Sequence, residues 1–421
     1  MDHYDVVVVG GGIAGASAAC ALARAGVSVL VLERAERFED HVRGEGMPPW
    51  GVTEAARLGV DEVMVGAGGS FVSKVAAYDE AWDASTVTPT DLSDFGLRGF
   101  LHAGHPDACS ALADAAVEAG APLVRGAEVR AVLPGRPPRV RYAVGGDEDG
   151  EVSADLVIGA DGRSSFVRRH LGYELCTTEA LTFGAGLLVT GDNWPEDILG
   201  LGTEGDVHFI FAPRPGATRL YIFTTPGLAK ERFSGADKAS AVIEAAQLSS
   251  LPGPMPFASA EAAGPCAVYP MTDAWLDTPT AEGVVLVGDA AGWSNPIVGQ
   301  GLAVAVRDVR MVVDVILAGE HLRPDGFADY ATEREERMRR LRLLSFVDTC
   351  VLSRFDDIGR ETRVEWQARV NEDATAAAFV FAKALGVDDF PPEVFEVETV
   401  RELVGSDHPY VGALPSFVQR E

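Results

Sequence analysis

Gly10, Gly12 and Gly15 stand at G-x-G-x-x-G spacing behind a valine run, Val6 to Val9, and open an alanine-rich stretch that stops at Gly26. Between a buried strand and a helix, glycines so spaced let the backbone approach a pyrophosphate. A Cβ in the turn, which also holds Ile13 and Ala14, would keep the phosphates from the free N–H groups and from the positive end of the helix dipole. A second apolar run, Val27 to Leu32, ends at Glu33 and is followed by Arg34. A carboxylate there can accept bonds from both hydroxyls of an adenosine ribose, which favours a free 2′-hydroxyl over a 2′-phosphate. The nucleotide expected from these residues is therefore FAD or NAD rather than NADP. Glycine spacing alone is a weak signal; the ordered succession of strand, turn, helix, strand and acid gives it weight.

Two later segments bear on that choice. Leu156-Val157-Ile158-Gly159-Ala160-Asp161-Gly162 reads as a strand entering a tight turn, with Ser165 and Arg168 where a helix begins. Val284-Val285-Leu286-Val287-Gly288-Asp289 is another strand, and it enters a loop that passes Pro296 and ends in Gly299-Gln300-Gly301-Leu302 before a helix. Asp289 at a strand end is placed to accept a ribityl hydroxyl, and the N–H groups after Gly299 can face a flavin ring.

With these three segments at these separations, the chain resembles the class A FAD-dependent monooxygenases, the aromatic-hydroxylase or para-hydroxybenzoate hydroxylase-like fold, over residues 1 to about 345. Flavin-dependent halogenases, squalene-epoxidase-like enzymes and geranylgeranyl reductases share that frame. The resemblance implies an α/β fold in which a Rossmann-type, GR2-like FAD-binding domain (residues 1–70, 101–175 and 276–345) interleaves with an antiparallel-sheet substrate domain (71–100 and 176–275). A helical region (346–421) follows. It further implies an oxidoreductase in which NAD(P)H transiently reduces FAD, and O2 reacts through a C4a-hydroperoxyflavin to hydroxylate or epoxidise an aromatic or polycyclic small molecule. In that reading Gly10, Gly12, Ile13, Ala14, Gly15, Glu33, Arg34 and Val129 serve the adenosine diphosphate part. Asp161 and Gly162 serve the pyrophosphate and reduced nicotinamide, and Gly288, Asp289, Gly299, Gln300, Gly301 and Leu302 serve the ribityl chain and ring. Arg43, ten residues past Glu33, matches an arginine placed against the flavin and the substrate mouth, and Pro296 matches the proline beside the ring where oxygen reacts. These two are the candidate catalytic positions.

The departures keep alternatives open. Where the family has an arginine before the helix expected over 108–120, this chain has His105-Pro106-Asp107, and Gly292 stands where hydroxylases commonly have histidine. A flavin halogenase or an isoprenoid-type double-bond reductase therefore remains possible, as does a non-catalytic flavin-binding protein. The middle-domain run from His208 through Phe209 and Phe211 to Pro213 lacks both tryptophans of the corresponding halogenase and reductase strands. Lys74 is a candidate halogenase lysine, but lysines at sheet edges also guard against mispairing. Phe209, Phe211 and Phe223 are candidate pocket residues, although alternating aromatics on strands serve sheet cores as well. His102, His105 and His208 are weak candidates for a base.

Composition narrows the partners. A net charge of −28 argues against nucleic acid, whose phosphates such a surface repels. The five cysteines, Cys20, Cys109, Cys176, Cys266 and Cys350, form no C-x-x-C pair, so reduced thiols and no metal site are expected. No uncharged apolar stretch is long enough to insert stably in a membrane, and no basic leader precedes the first strand; a cytoplasmic location follows. Only one dinucleotide fingerprint is present. At 421 residues the chain suits two domains and a tail. Within them, a strand is expected over 123–133, a hairpin tip over 145–150, and an ion-paired, solvated helix face over 333–340.

Overall fold

The computed structural model describes residues 1–146, 148–253 and 255–418. Asp147 in the expected hairpin tip, and residues 419–421 at the end of the expected helical region, lie outside the described residues.

An eight-stranded sheet carries the nucleotide half. Its parallel core runs Val284–Leu286, Glu148–Gly159, Asp2–Val9, Val29–Glu33 and Leu123–Arg125. The β-branched residues from Val6 to Val9 are buried on both faces, as a central parallel strand requires. The helix Ile13–Arg24 packs on one face through Ala16, Ala19 and Cys20, and the helix Gly301–Leu317 through Val306 and Val309.

Two local expectations change. The helix expected over 108–120 is His105–Glu118, because Pro106 in its first turn has neither an N–H to waste nor a φ to adjust. His105-Pro106-Asp107 are thus the helix start and do not precede it. The strand expected over 123–133 breaks at Gly126, whose φ of 68° turns the chain out of the parallel sheet. Ala127–Leu133 then pairs antiparallel with Arg139–Val144.

A second eight-stranded sheet lies over the loops of the first, built mainly from Thr182–Thr190, Ala217–Thr224, Val207–Arg214 and Ile198–Glu204 in antiparallel register. Lys74–Asp79 joins it parallel to Ile198–Glu204. Its two faces differ. Phe209, Phe211, Leu220 and Ile222 point away from the nucleotide half, into a core with Trp194, Phe257 and the helices Pro226–Arg232 and Lys238–Ala245. Arg219, Tyr221 and Phe223, one residue out of phase, point the other way. Phe209 and Phe211 are therefore sheet core with no exposed surface, and of the three expected pocket aromatics only Phe223 is on the inner face.

The long helix Ala328–Leu352 crosses the expected boundary at 345, and the helices Asp357–Glu372, Ala374–Leu385 and Val397–Val404 follow. The face expected to be solvated is not. Arg334, Arg337 and Arg340 are buried, and they are ion-paired within the protein.

Phe211→Ala is expected to destabilise the fold by roughly 3–5 kcal/mol, the cost of a large core cavity, while leaving FAD affinity of the folded fraction unchanged. Urea unfolding alongside flavin titration checks both parts.

Candidate flavin site

The turn at residues 10–15 is shaped by backbone proximity. A Cβ on Gly15 would lie 1.8 Å from the Gly10 carbonyl oxygen, so that position admits only glycine. A Cβ on Gly12 would meet no atom within 4 Å; it would project into open space ahead of the Ile13–Arg24 helix, whose first N–H groups have no intrahelical partner. Open space ahead of free helix N–H groups suits an anionic group such as a pyrophosphate. Ile13 is buried in the core beneath, and Ala14 beside it is partly buried. Glu33 at the end of its strand accepts from Gly11 N–H at 2.6 Å and Ala35 N–H at 2.7 Å, which orients its carboxylate toward the turn. Arg34 is exposed next to it. Val129 packs with Val9 and Leu32 in the sheet core.

The Asp161 turn and the Gly288 loop are held together by an arginine. Asp161 Oδ2 accepts from the N–H groups of Phe166 and Val167, and Gly162 has a φ of 73°. Arg168 is buried, and it donates to the carbonyls of Arg163 and Ala290, so it spans both loops. Arg163 Nε in turn donates to Asp289 Oδ2 at 3.1 Å. Asp161 Oδ1, Trp293 Nε1 and Ser294 Oγ are buried with no hydrogen-bond partner among the described residues. Unpaired buried polar atoms are costly, and three of them around these loops suit a polar group such as the flavin's.

Behind the Gly288 loop lies an ionic cluster that the sequence did not reveal. Asp308, fully buried on the helix Gly301–Leu317, accepts from Gly288 N–H and Arg334 Nε through Oδ2, both at 2.8 Å, and from Arg337 through Oδ1 at 2.7 Å. Arg334 also donates to the carbonyls of Gly288, Ala291 and Gly292, and the Tyr330 hydroxyl donates to Leu286 O. Burial alone would raise the Asp308 carboxyl, yet the two guanidiniums hold it below the usual carboxylate range.

The next segment is as firmly fixed. Asn295 Oδ1 caps the turn Pro296–Val298, and Gly299 ends it. The Gln300 side chain is spent inside the protein: it accepts from Trp50 Nε1 at 2.7 Å and donates to the carbonyls of Val298 and Lys383. Gln300 thus serves the loop through its side chain and leaves a ring only its backbone. Gly301 starts the helix, and Leu302 packs against the core.

Opposite this loop the second sheet presents its inner face. Phe223 contacts the cluster containing Ile297 and Val298, and the Tyr221 hydroxyl donates to the Arg43 carbonyl at 2.9 Å. The Arg43 side chain is exposed, next to Val42 at φ 54°. Arg219 is fully buried and paired with Asp40 at 2.7 Å and Glu45 at 2.6 Å, which pins the segment carrying Arg43 to the sheet. Burial pushes His102 down to about 4, His208 to about 3 and His105 to about 4, the last helped by the nearby Arg43 charge. All three are neutral at pH 7. His102 Nδ1 is bonded to Pro213 O, and His208 Nδ1 to the Thr203 hydroxyl.

A family profile described as FAD binding domain matches residues 3–343. The chain belongs to the FAD binding domain family. This flavoprotein is 27% identical over 380 residues to ubiquinone hydroxylase UbiL of Rhodospirillum rubrum, covering 84% of this chain and 82% of that one. It is 29% identical over 362 residues to 6-hydroxy-3-succinoylpyridine 3-monooxygenase HspB of Pseudomonas putida, covering 81% and 86%. Among solved structures, the flavin-dependent brominase Bmp2 matches with a TM-score of 0.72 over 97% of this chain and 99% of that one at 17% identity, a likeness of fold. The flavoprotein is an FAD-dependent oxidoreductase of a monooxygenase-type family, with FAD as its cofactor.

Gly12→Ala is expected to cost the apoprotein no more than about 1 kcal/mol as a helix cap and to weaken FAD binding by about tenfold or more, a loss of about 1.4 kcal/mol or more at the phosphates. Flavin fluorescence titration beside thermal melting separates the two. Asp308→Ala leaves the buried Arg334 guanidinium without a carboxylate and Arg337 with Glu333 alone, and is expected to destabilise by roughly 3–5 kcal/mol; Glu398→Gln, in an exposed pair with Arg401, is expected to cost no more than about 1 kcal/mol in the same urea experiment.

Proposed function

We propose that this flavoprotein uses NAD(P)H and O2 to hydroxylate or epoxidise an aromatic or polycyclic small molecule. The observation that supports the reading is the packing of the 295–301 loop against the inner sheet surface at Phe223, which gives the positions assigned to the ring apolar surroundings. Names of the relatives support it: one is a ubiquinone hydroxylase and another a pyridine monooxygenase. FAD supplies electron transfer and oxygen activation when bound.

The chain's own residues bind, orient and keep water out. Pro296 offers no N–H at the position assigned to the oxygen side of the ring, and Ile297 and Val298 beside it are buried apolar groups. Arg43, exposed and anchored through its backbone, is assigned to the flavin edge and the substrate mouth. The single nucleotide fingerprint fits a reductant that binds and leaves. With His102 and His208 neutral and bonded within the protein, and His105 made a weak base by burial, no histidine is assigned as base, and reactivity rests on an electron-rich substrate. No helix among the described residues is long and apolar enough to cross a membrane. A cytoplasmic, tailoring-type role is part of the proposal.

One observation favours a second reading. The chain is 30% identical over 322 residues to digeranylgeranylglycerophospholipid reductase 2 of Methanopyrus kandleri, covering 71% of this chain and 73% of that one, which supports the isoprenoid-type reductase alternative. Against a halogenase, Lys74 Nζ is paired with Asp197 at 2.7 Å near the sheet edge.

The test is O2 uptake by the FAD-loaded protein with NADH or NADPH across a panel of aromatic and polycyclic compounds, with and without bromide. Ligand-stimulated O2 consumption, with one atom of labelled oxygen in the product, is expected. Bromide-dependent product, or turnover that proceeds equally without oxygen, would replace the monooxygenase reading.

A further inference from the structure

Tyr269 stands on the strand Ala267–Met271, which pairs with Thr182–Thr190 on the side away from Ala217–Thr224. Its partner across the ladder is Gly184, and the partner of Gly184 on the other side is Phe223, so the tyrosine shares the inner sheet face with Phe223 and Tyr221. Two glycines make room for it. A Cβ on Gly184 would lie 2.8 Å from Tyr269 Cε2 and 3.1 Å from Phe223 Cδ1. A Cβ on Gly186 would lie 3.7 Å from the Tyr269 hydroxyl oxygen and would collide with Val42. The ring therefore lies along the strand from Gly184 to Gly186 and brings its hydroxyl to Val42, the residue before Arg43.

That hydroxyl has no hydrogen-bond partner among the described residues, and it is not sealed in, because Tyr269 is only half-buried. Tyr221 beside it differs: its hydroxyl is committed to the Arg43 carbonyl. The accessible end of the Tyr269 ring faces inward. Burial pushes its hydroxyl up to about 12 against the pull of the Arg163 and Arg219 charges, a shift that a ring edge turned to bulk water does not undergo. Arg163 is the guanidinium that donates to Asp289 and lies 5.2 Å from the centre of the Trp293 ring. The hydroxyl is thus approached from two segments: the strap carrying Arg43, and the arginine that reaches from the Asp161 turn to the Gly288 loop.

A neutral phenol hydroxyl both donates and accepts a hydrogen bond. It can donate to a carbonyl or accept from a hydroxyl, but a bare hydrocarbon closing over it strips its water and returns nothing. We propose that the Tyr269 hydroxyl recognises a ring oxygen of the substrate, which makes that substrate an oxygenated ring, a phenol or a quinone, in place of an unsubstituted hydrocarbon. The inference rests on the aromatic or polycyclic substrate given under Proposed function. Tyr269 selects and orients; no proton or electron transfer is assigned to it.

The test uses the FAD-loaded protein at pH 7, with 2-naphthol and naphthalene as probes that share a ring system and differ by the one hydroxyl. Dissociation constants are read from the flavin absorption spectrum. Tyr269→Phe is expected to weaken 2-naphthol binding by about tenfold, the loss of one hydrogen bond, and to leave naphthalene binding unchanged. Melting temperature and FAD affinity are also expected to hold, since the hydroxyl removed has no partner in the protein. Equal loss for both probes, or no loss for either, overturns the proposal and leaves the aromatic reading standing. A fall in FAD affinity or melting temperature with 2-naphthol binding intact overturns it as well, because the hydroxyl then serves the flavin or the fold. If neither probe perturbs the flavin of the unaltered protein, the aromatic reading itself falls, and the role of Tyr269 with it.

Discussion

The buried carboxylate of Asp308 is the constraint on which the flavin site depends. It receives the Gly288 N–H and two guanidiniums at once, and so ties three separate pieces of chain: the loop after the central strand, the helix Gly301–Leu317 and the helix Ala328–Leu352. Burying three charges is expensive, and the arrangement holds because nearly all their valences are used: Arg334 also takes three loop carbonyls that would otherwise face apolar surroundings. A loop with many glycines is entropically costly to fix. Here the fixing comes from outside it.

The same logic recurs around the site. Arg168 joins the Asp161 turn to Ala290, Gln300 joins the ring loop to Trp50 and to the helix Ala374–Leu385, and Arg219 fastens the segment carrying Arg43 to the second sheet. Each is a buried side chain that holds backbone or a carboxylate. The groups left for the cofactor are then mostly backbone N–H groups and a few unpaired polar atoms, presented on a frame that does not have to reorganise.

What could be read from the sequence was local. The nucleotide turn, the Asp161 turn and the Gly288 loop are each encoded within about fifteen residues, by glycines at positive φ or, as at Gly10 and Gly15, where a Cβ would collide, and by β-branched runs before them. Arg334 and Arg337 were read as solvated because their neighbours are charged, and a local pattern of charges cannot distinguish a surface face from one that meets a buried aspartate on another helix. Asp308 itself looked like an interruption of an apolar helix. Phe209, Phe211 and Phe223 share one spacing-based description, yet the first two and the third lie on opposite faces; the inner face became identifiable only through partners remote in sequence, Asp40 and Glu45 for Arg219 and Ile297 for Phe223. Tyr269 gave no signal at all, since Gly184 under its ring and Val42 beside its hydroxyl are remote from it in sequence.

The central claim is that this clamped loop and the inner sheet face together receive the flavin ring. Diffraction from crystals of the FAD-loaded protein tests it most directly. The account predicts the pyrophosphate on the turn at residues 10–15, the ring at the 295–301 loop beside the inner sheet face, and the Asp308 cluster unchanged. A ring bound away from that loop, or a Gly288 loop released from Asp308 and Arg334 on binding, would contradict it.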